Sequence, residues 1–156
     1  MQPTTKRRSR PVSPTACNIA RTLDLVGERW TLLVVRELML RNHRFDQIAA
    51  RTGVARNILT ARLAALVDAG LVVRRQYSER PPRDEYLLTE AGEALMPVIH
   101  TLMAWGDEHL PAGQPAPTVF RHACGERFVP QLVCRCCSQP AEPGGLTPTR
   151  LGGRDL

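Results

Sequence analysis

Between Phe45 and Gly70 two stretches of helical apolar spacing are separated by little more than Thr52-Gly53, and this closeness most narrows the folds available. The spacing predicts a short helix from about Asp46 to Arg51, with Phe45 and Ile48 turned inward. A longer helix follows from about Ala55 to Ala69 and ends at Gly70, a residue suited to a left-handed cap. Two short helices around a tight glycine-containing turn make a helix-turn-helix. Two β-rich runs come next, Leu71 to Tyr77 and Asp84 to Leu88, joined by Ser78-Glu79-Arg80-Pro81-Pro82-Arg83, which reads as a stiff basic loop. A helix-turn-helix followed by an arginine-tipped hairpin is the layout of a winged helix. The expected fold is therefore mainly α with a small β-hairpin, a winged helix-turn-helix.

The flanks fit one domain with tails. Residues 1–14 hold three prolines and four bases and read as a disordered basic arm. Ile19, Leu23 and Val26 predict a first helix over 15–26, stopped at Gly27. Arg29 to Leu40 is apolar nearly all round, interrupted by Thr31, Arg36 and Glu37, and should be the buried central helix. Thr89 can cap a long helix to about Leu110, kinked at Pro97, with Leu95, Ile99, Leu102 and Met103 on one face. The domain spans 15–110. Residues 111–117 read as a linker, 118–140 as a small Cys-rich tail and 141–156 as disordered. Apolar runs reach only five residues, so no membrane span is expected, and no apolar region follows the basic start as in a signal peptide. A cytoplasmic location is expected.

Charge is unevenly placed. The net charge is +6, but residues 44–83 carry +5 and residues 84–110 carry −6. A basic segment followed by an acidic one suggests one face aimed at a polyanion and another turned away. On the helix from Ala55, Leu59, Leu63 and Leu66 share the core side. Asn57, Thr60, Ala61 and Ala64 point outward, and Arg56 lies on the flank near the N-terminus. Small alanines allow close approach to a groove, Asn57 suits an adenine edge, and Arg56 suits guanine or phosphate. Arg62 lies nearer the core edge, where an ion pair and a phosphate contact are equally open to it. Arg80 and Arg83 flank Pro81-Pro82 at the wing tip and suit backbone or minor groove. Arg74 and Arg75 alternate along a strand, so only one of them should face nucleic acid.

One series of motifs begins at Cys17-Asn-Ile-Ala-Arg-Thr-Leu-Asp-Leu-Val-Gly27 and Arg29-Trp-Thr-Leu-Leu33. It continues at Arg44-Phe45, Leu59-Thr60, Arg62-Leu63 and Gly70-Leu71-Val72. Its most specific parts are Pro81-Pro82-Arg83-x-Glu85-Tyr86-x-Leu88-Thr89-Glu90-x-Gly92 and Ala104-Trp105-Gly106. In these motifs residues 17–106 resemble the HxlR family of bacterial transcriptional regulators. The resemblance implies a homodimer that binds double-stranded operator DNA, with no catalytic step. Arg44, Arg56, Asn57, Thr60, Ala61, Arg62, Arg80 and Arg83 form the expected DNA-binding set. One departure is Ala55, where the family usually has Ser; the missing N-cap hydroxyl could cost roughly 1 kcal/mol. Some family members use a cysteine at the position of Cys17 to sense oxidants or electrophiles. A helix N-terminus favours thiolate, although most cysteines on packed helices are inert.

Four of the five cysteines crowd between Cys124 and Cys137. Cys134-x-x-Cys137 has zinc-knuckle spacing, and His122 with Cys124 could close a tetrahedral site for one structural zinc ion, with Cys136 as a spare thiol. A redox cluster and an idle tail are the competing readings. Two rival functions remain open: a thiol-disulfide oxidoreductase using Cys134 and Cys137, and a winged-helix interaction module that does not bind DNA. No βαβ pattern surrounds the cysteines, which weighs against the first. The arginines of the wing and arm weigh against the second.

Overall fold

A computed structural model describes residues 17–111, 119–142 and 144–148. The expected basic arm at 1–14 and all but the first residue of the linker at 111–117 lie outside the described residues. The chain divides into two compact units, up to Met96 and from Pro97. Among the described residues no helix is long and apolar enough to cross a membrane.

The first unit is a winged helix-turn-helix. Helices α1 (Asn18–Val26), α2 (Thr31–Met39), α3 (Phe45–Thr52) and α4 (Arg56–Asp68) precede strands β1 (Val72–Glu79) and β2 (Pro82–Leu88) and a short helix α5 (Glu90–Glu93). Helix α2 is central, packing on α3, α4 and β2. Its Val34, Val35 and Leu38 meet a core that includes Ile48 of α3, Leu59, Leu63 and Leu66 of α4, and Val72 of β1. Each such side chain contributes about 1.5–3 kcal/mol of burial. One buried charge sits among them. The Glu37 carboxylate accepts hydrogen bonds from Arg36 Nη2 at 2.6 Å, Arg36 Nε at 3.2 Å and Asn42 Nδ2 at 2.8 Å.

Glycine sets the corners around α4. Gly53 ends α3 in the left-handed region at φ 69°. Gly70 follows α4 at φ 70°, and the Leu71 N–H to Leu66 carbonyl bond of 3.0 Å closes a Schellman cap. Gly27 ends α1 in right-handed geometry instead, with φ −75°. Only Val26 of the α1 apolar face is buried; Ile19 and Leu23 stand in solvent.

The hairpin is longer than the sequence suggested. Its strands pair antiparallel to the Glu79–Pro82 step, so the expected six-residue loop shrinks to Arg80-Pro81, joined by a cis peptide bond. The other edge of β2 is also used: the Tyr86 N–H donates to the His43 carbonyl at 2.8 Å, and Arg44 bridges Glu85. His43 and Arg44 therefore pair with the outer edge of the wing through one isolated bridge.

The expected long, kinked helix is two helices. α5 ends at Glu93, and α6 (Met96–His109) starts afresh with Pro97 in its first turn, where a missing N–H breaks no helical bond. On α6 Ile99 and His100 are buried, whereas Leu102 is exposed. In the second unit a hairpin over 120–128 is tied by Phe128 N–H to Phe120 O at 2.8 Å and His122 N–H to Glu126 O at 2.9 Å. Ordered pairing reaches the start of the end expected to be disordered: Val133 bridges Pro140, and the Ala141 N–H reaches the Leu132 carbonyl at 2.9 Å.

Candidate nucleic-acid interface

Helix α4 starts at Arg56 because Val54 is buried in the turn and Ala55 stands extended as N-cap, with no side-chain hydrogen bond. That register buries Leu59, Leu63 and Leu66 and leaves Asn57, Thr60, Ala61 and Ala64 exposed. Asn57 and Ala61 offer an amide beside a small side chain. The Thr60 hydroxyl donates back to the Arg56 carbonyl at 2.9 Å, so only its lone pairs face outward. Arg56 is held on α3: its Nη1 is 2.7 Å from Asp46 Oδ1 and its guanidinium lies 4.8 Å over the Phe45 ring. Arg62 Nη1 lies 3.8 Å from Glu28, an ion-pair contact.

On the wing, Arg80 and Arg83 are exposed and make no ion pair among the described residues. The stem behaves otherwise. Arg75 bonds Glu85, its direct cross-strand partner, at 2.8 Å, and Arg74 bonds Asp84 on the diagonal. The hydrogen bond from Arg74 to Asp84, then the carboxylate's charge, raises the guanidinium pKa. Thus both stem arginines are neutralised, and the acidic segment from Asp84 folds back onto the basic strand instead of facing away from it. The register shift between Gln76 and Ser78 leaves Tyr77 bulged, and Arg44 lies 4.6 Å over its ring. Arg44 also starts α3, its N–H donating to Gln47 Oε1 at 3.1 Å. Arg44 and Arg83 line one groove between α3 and the hairpin. Sequence reading missed Asp46 and Tyr77, the partners that orient Arg56 and Arg44; the aromatic beside each basic segment was the available signal.

Cys17 is the half-buried N-cap of α1, its carbonyl accepting the Arg21 N–H at 3.0 Å. The other four cysteines are exposed and free. Cys134 opens a turn closed by the Ser138 N–H on its carbonyl at 2.7 Å. Backbone amides of Cys137 and Cys136 point at the Cys134 sulfur and hold its thiol pKa below the ordinary value. His122 and Cys124 share a separate turn, where the Cys124 N–H approaches His122 Nδ1 at 3.4 Å. Among the described residues no three His, Cys, Asp or Glu side chains converge as a metal-ion cage. The four expected zinc ligands therefore stand as two pairs.

The fold and the exposed α4 face define a winged helix-turn-helix protein. The sequence profile of the HxlR-like helix-turn-helix family matches residues 25–114. The uncharacterized HTH-type transcriptional regulator Rv3095 of Mycobacterium tuberculosis is 46% identical over 132 residues, covering 84% of each chain. Among solved structures, PA1607, a candidate transcription factor, superposes with a TM-score of 0.75 at 29% identity, covering 86% of this chain and 95% of its own. The redox regulator HypR in its oxidized form gives 0.57 at 29% identity, covering 62% of this chain and all of its own. The chain belongs to the HxlR-like helix-turn-helix family and is a transcriptional regulator of winged-helix type, a family of DNA-binding proteins and not of enzymes.

Proposed function

We propose that this regulator binds a palindromic operator as a homodimer, reading bases with Asn57 and holding phosphates with Arg80 and Arg83. The observation that carries the reading is the exposed α4 face of Asn57, Thr60, Ala61 and Ala64 beside an arginine-tipped hairpin. The exposed apolar side chains Ile19 and Leu23 on α1, and Leu102 and Trp105 on α6, support burial against a second copy. Two-fold symmetry then sets half-sites about one helical turn apart or a multiple of it.

Two substitutions should fail differently on fragments selected from the source genome. Asn57→Ala should cost about 1–3 kcal/mol on the preferred operator and relax discrimination at one base pair per half-site. Arg83→Ala should weaken all sequences alike and reduce the salt slope by about one unit per lost phosphate contact. Binding over a salt series to operator and scrambled DNA measures both. Wild-type behaviour of Asn57→Ala on both DNAs would falsify base reading by α4.

The signal is proposed to be thiol-directed, through Cys17 at the start of α1. The HypR likeness and the helix N-terminus support this reading. Diamide should weaken operator binding of the reduced wild type, and Cys17→Ser should not respond. An unchanged response in Cys17→Ser moves the sensor to the C-terminal thiols.

A structural zinc ion is proposed for the tail, held by His122, Cys124, Cys134 and Cys137. The amide-stabilised Cys134 sulfur supports it, because zinc takes thiolate ligands. Its two halves would have to close around the ion. Native mass spectrometry should find one zinc per chain, lost in Cys134→Ser; metal-free protein with five titrating thiols rules the site out.

A further inference from the structure

The second unit contains a cavity of about 300 Å³ between α6 and the 120–128 hairpin. Ligand pockets begin at about this volume. Met103, Phe120 and Phe128 supply apolar walls, and His100 supplies the one polar group set deep among them. Phe120 and Phe128 meet the imidazole edge-on, with centroids 4.4 and 5.0 Å away and planes at 89° and 76°. The ring is thus clamped in one orientation. His100 is only 8% exposed, yet its ring nitrogens make no hydrogen bond among the described residues. Among the described residues no buried side-chain nitrogen or oxygen is sealed without a partner, so the imidazole nitrogens keep accessible surface, and His100 lines the cavity.

The chemistry of the walls narrows the ligand. Burial lowers the His100 pKa, so near neutral pH the imidazole is uncharged and offers one N–H donor and one bare acceptor nitrogen. A hydroxyl group, which both donates and accepts, matches either face of that pair. At the rim Arg127 is already bonded to Asp107, and Glu108 stands beside them. Acids outnumber the base there, which disfavours a carboxylate or phosphate ligand. Aromatic walls and the Met103 thioether favour a flat ring over an alkyl chain.

We propose that this cavity binds a small neutral aromatic molecule bearing one hydroxyl, of the phenol or naphthol class, with the hydroxyl on the His100 imidazole. The site lies wholly within the second unit, and its occupancy does not depend on DNA binding.

Calorimetry on the full chain with three probes of one shape tests it: 1-naphthol, naphthalene and 1-naphthoate at neutral pH. The expected result is one 1-naphthol per chain, bound about fivefold to tenfold more tightly than naphthalene, the worth of one hydrogen bond. Naphthoate should bind more weakly than either. His100→Phe should keep naphthalene binding and erase the preference for naphthol. Met103→Trp, which fills the cavity from its wall, should abolish binding of all three. The wild-type series decides even where a variant fails to fold. No naphthol binding, equal binding of naphthalene, or tighter binding of naphthoate overturns the proposal, as does a naphthol preference that survives in His100→Phe.

Discussion

Gly92→Ala is expected to lower the stability of the winged-helix unit by about 3 kcal/mol, near the upper end for forced overpacking. Thr89 sets the geometry. Its N–H donates to the Leu71 carbonyl at 3.0 Å, its hydroxyl donates to the Gly70 carbonyl at 2.7 Å, and the same oxygen accepts the Gly92 N–H at 3.2 Å. These bonds seat the first turn of α5 directly on the chain between α4 and β1. A Cβ on Gly92 would lie 2.1 Å from the Leu71 oxygen and 3.0 Å from Leu88 Cδ2. The first obstacle is backbone already held by Thr89, so it cannot swing aside as a side chain could. Urea unfolding should show a lower midpoint at unchanged slope. A wild-type midpoint would mean that α5 does not approach so closely. The Thr89-Glu90-x-Gly92 pattern thus has a packing cause.

Glu37→Ala should cost a similar amount, about 3 kcal/mol, at the lower end for breaking a buried ion pair because Arg36 can still reach water. The carboxylate gathers Arg36 and Asn42 and fastens the end of α2 to the chain leading into α3, where the Asn42 N–H also reaches the Glu37 carbonyl at 3.0 Å. Asn42→Ala removes only one of these partners and should cost about 1 kcal/mol. Thermal or urea denaturation of the two variants gives the comparison. If Asn42→Ala proves the more damaging, Glu37 is not the centre of this network.

What was legible in the sequence is what depends on neighbours a few residues apart. Helical spacing located α2, α3 and α4, and Gly53 and Gly70 marked the corners, because both signals act within a turn. Register was not legible. The pairing of Arg75 with Glu85 and of Arg74 with Asp84 depends on the shift at Tyr77, which changes which strand residues meet. The single bridge of Arg44 to Glu85 has no period to read. His100 is one histidine on a helix, and its burial is decided by phenylalanines that follow 20 and 28 residues later. In the same way, spacing could offer His122, Cys124, Cys134 and Cys137 as a ligand set but could not say whether their two turns meet.

The paired charges along the hairpin stem make the wing an insulated probe. Arg74, Arg75, Asp84 and Glu85 form a zwitterionic shaft with no net charge to draw it flat against a polyanion. Attraction is concentrated beyond the shaft, at Arg80 and Arg83, and two facing strands set the distance between those cations and the core. On the proposed DNA reading, reach and not total charge governs how the wing engages a duplex. Deleting one facing residue pair from the shaft, such as Val73 with Leu87, would leave the net charge of the protein unchanged. It would nonetheless withdraw both cations by about 3.3 Å, one strand step, and turn the strand residues beyond the deletion to the opposite face of the hairpin.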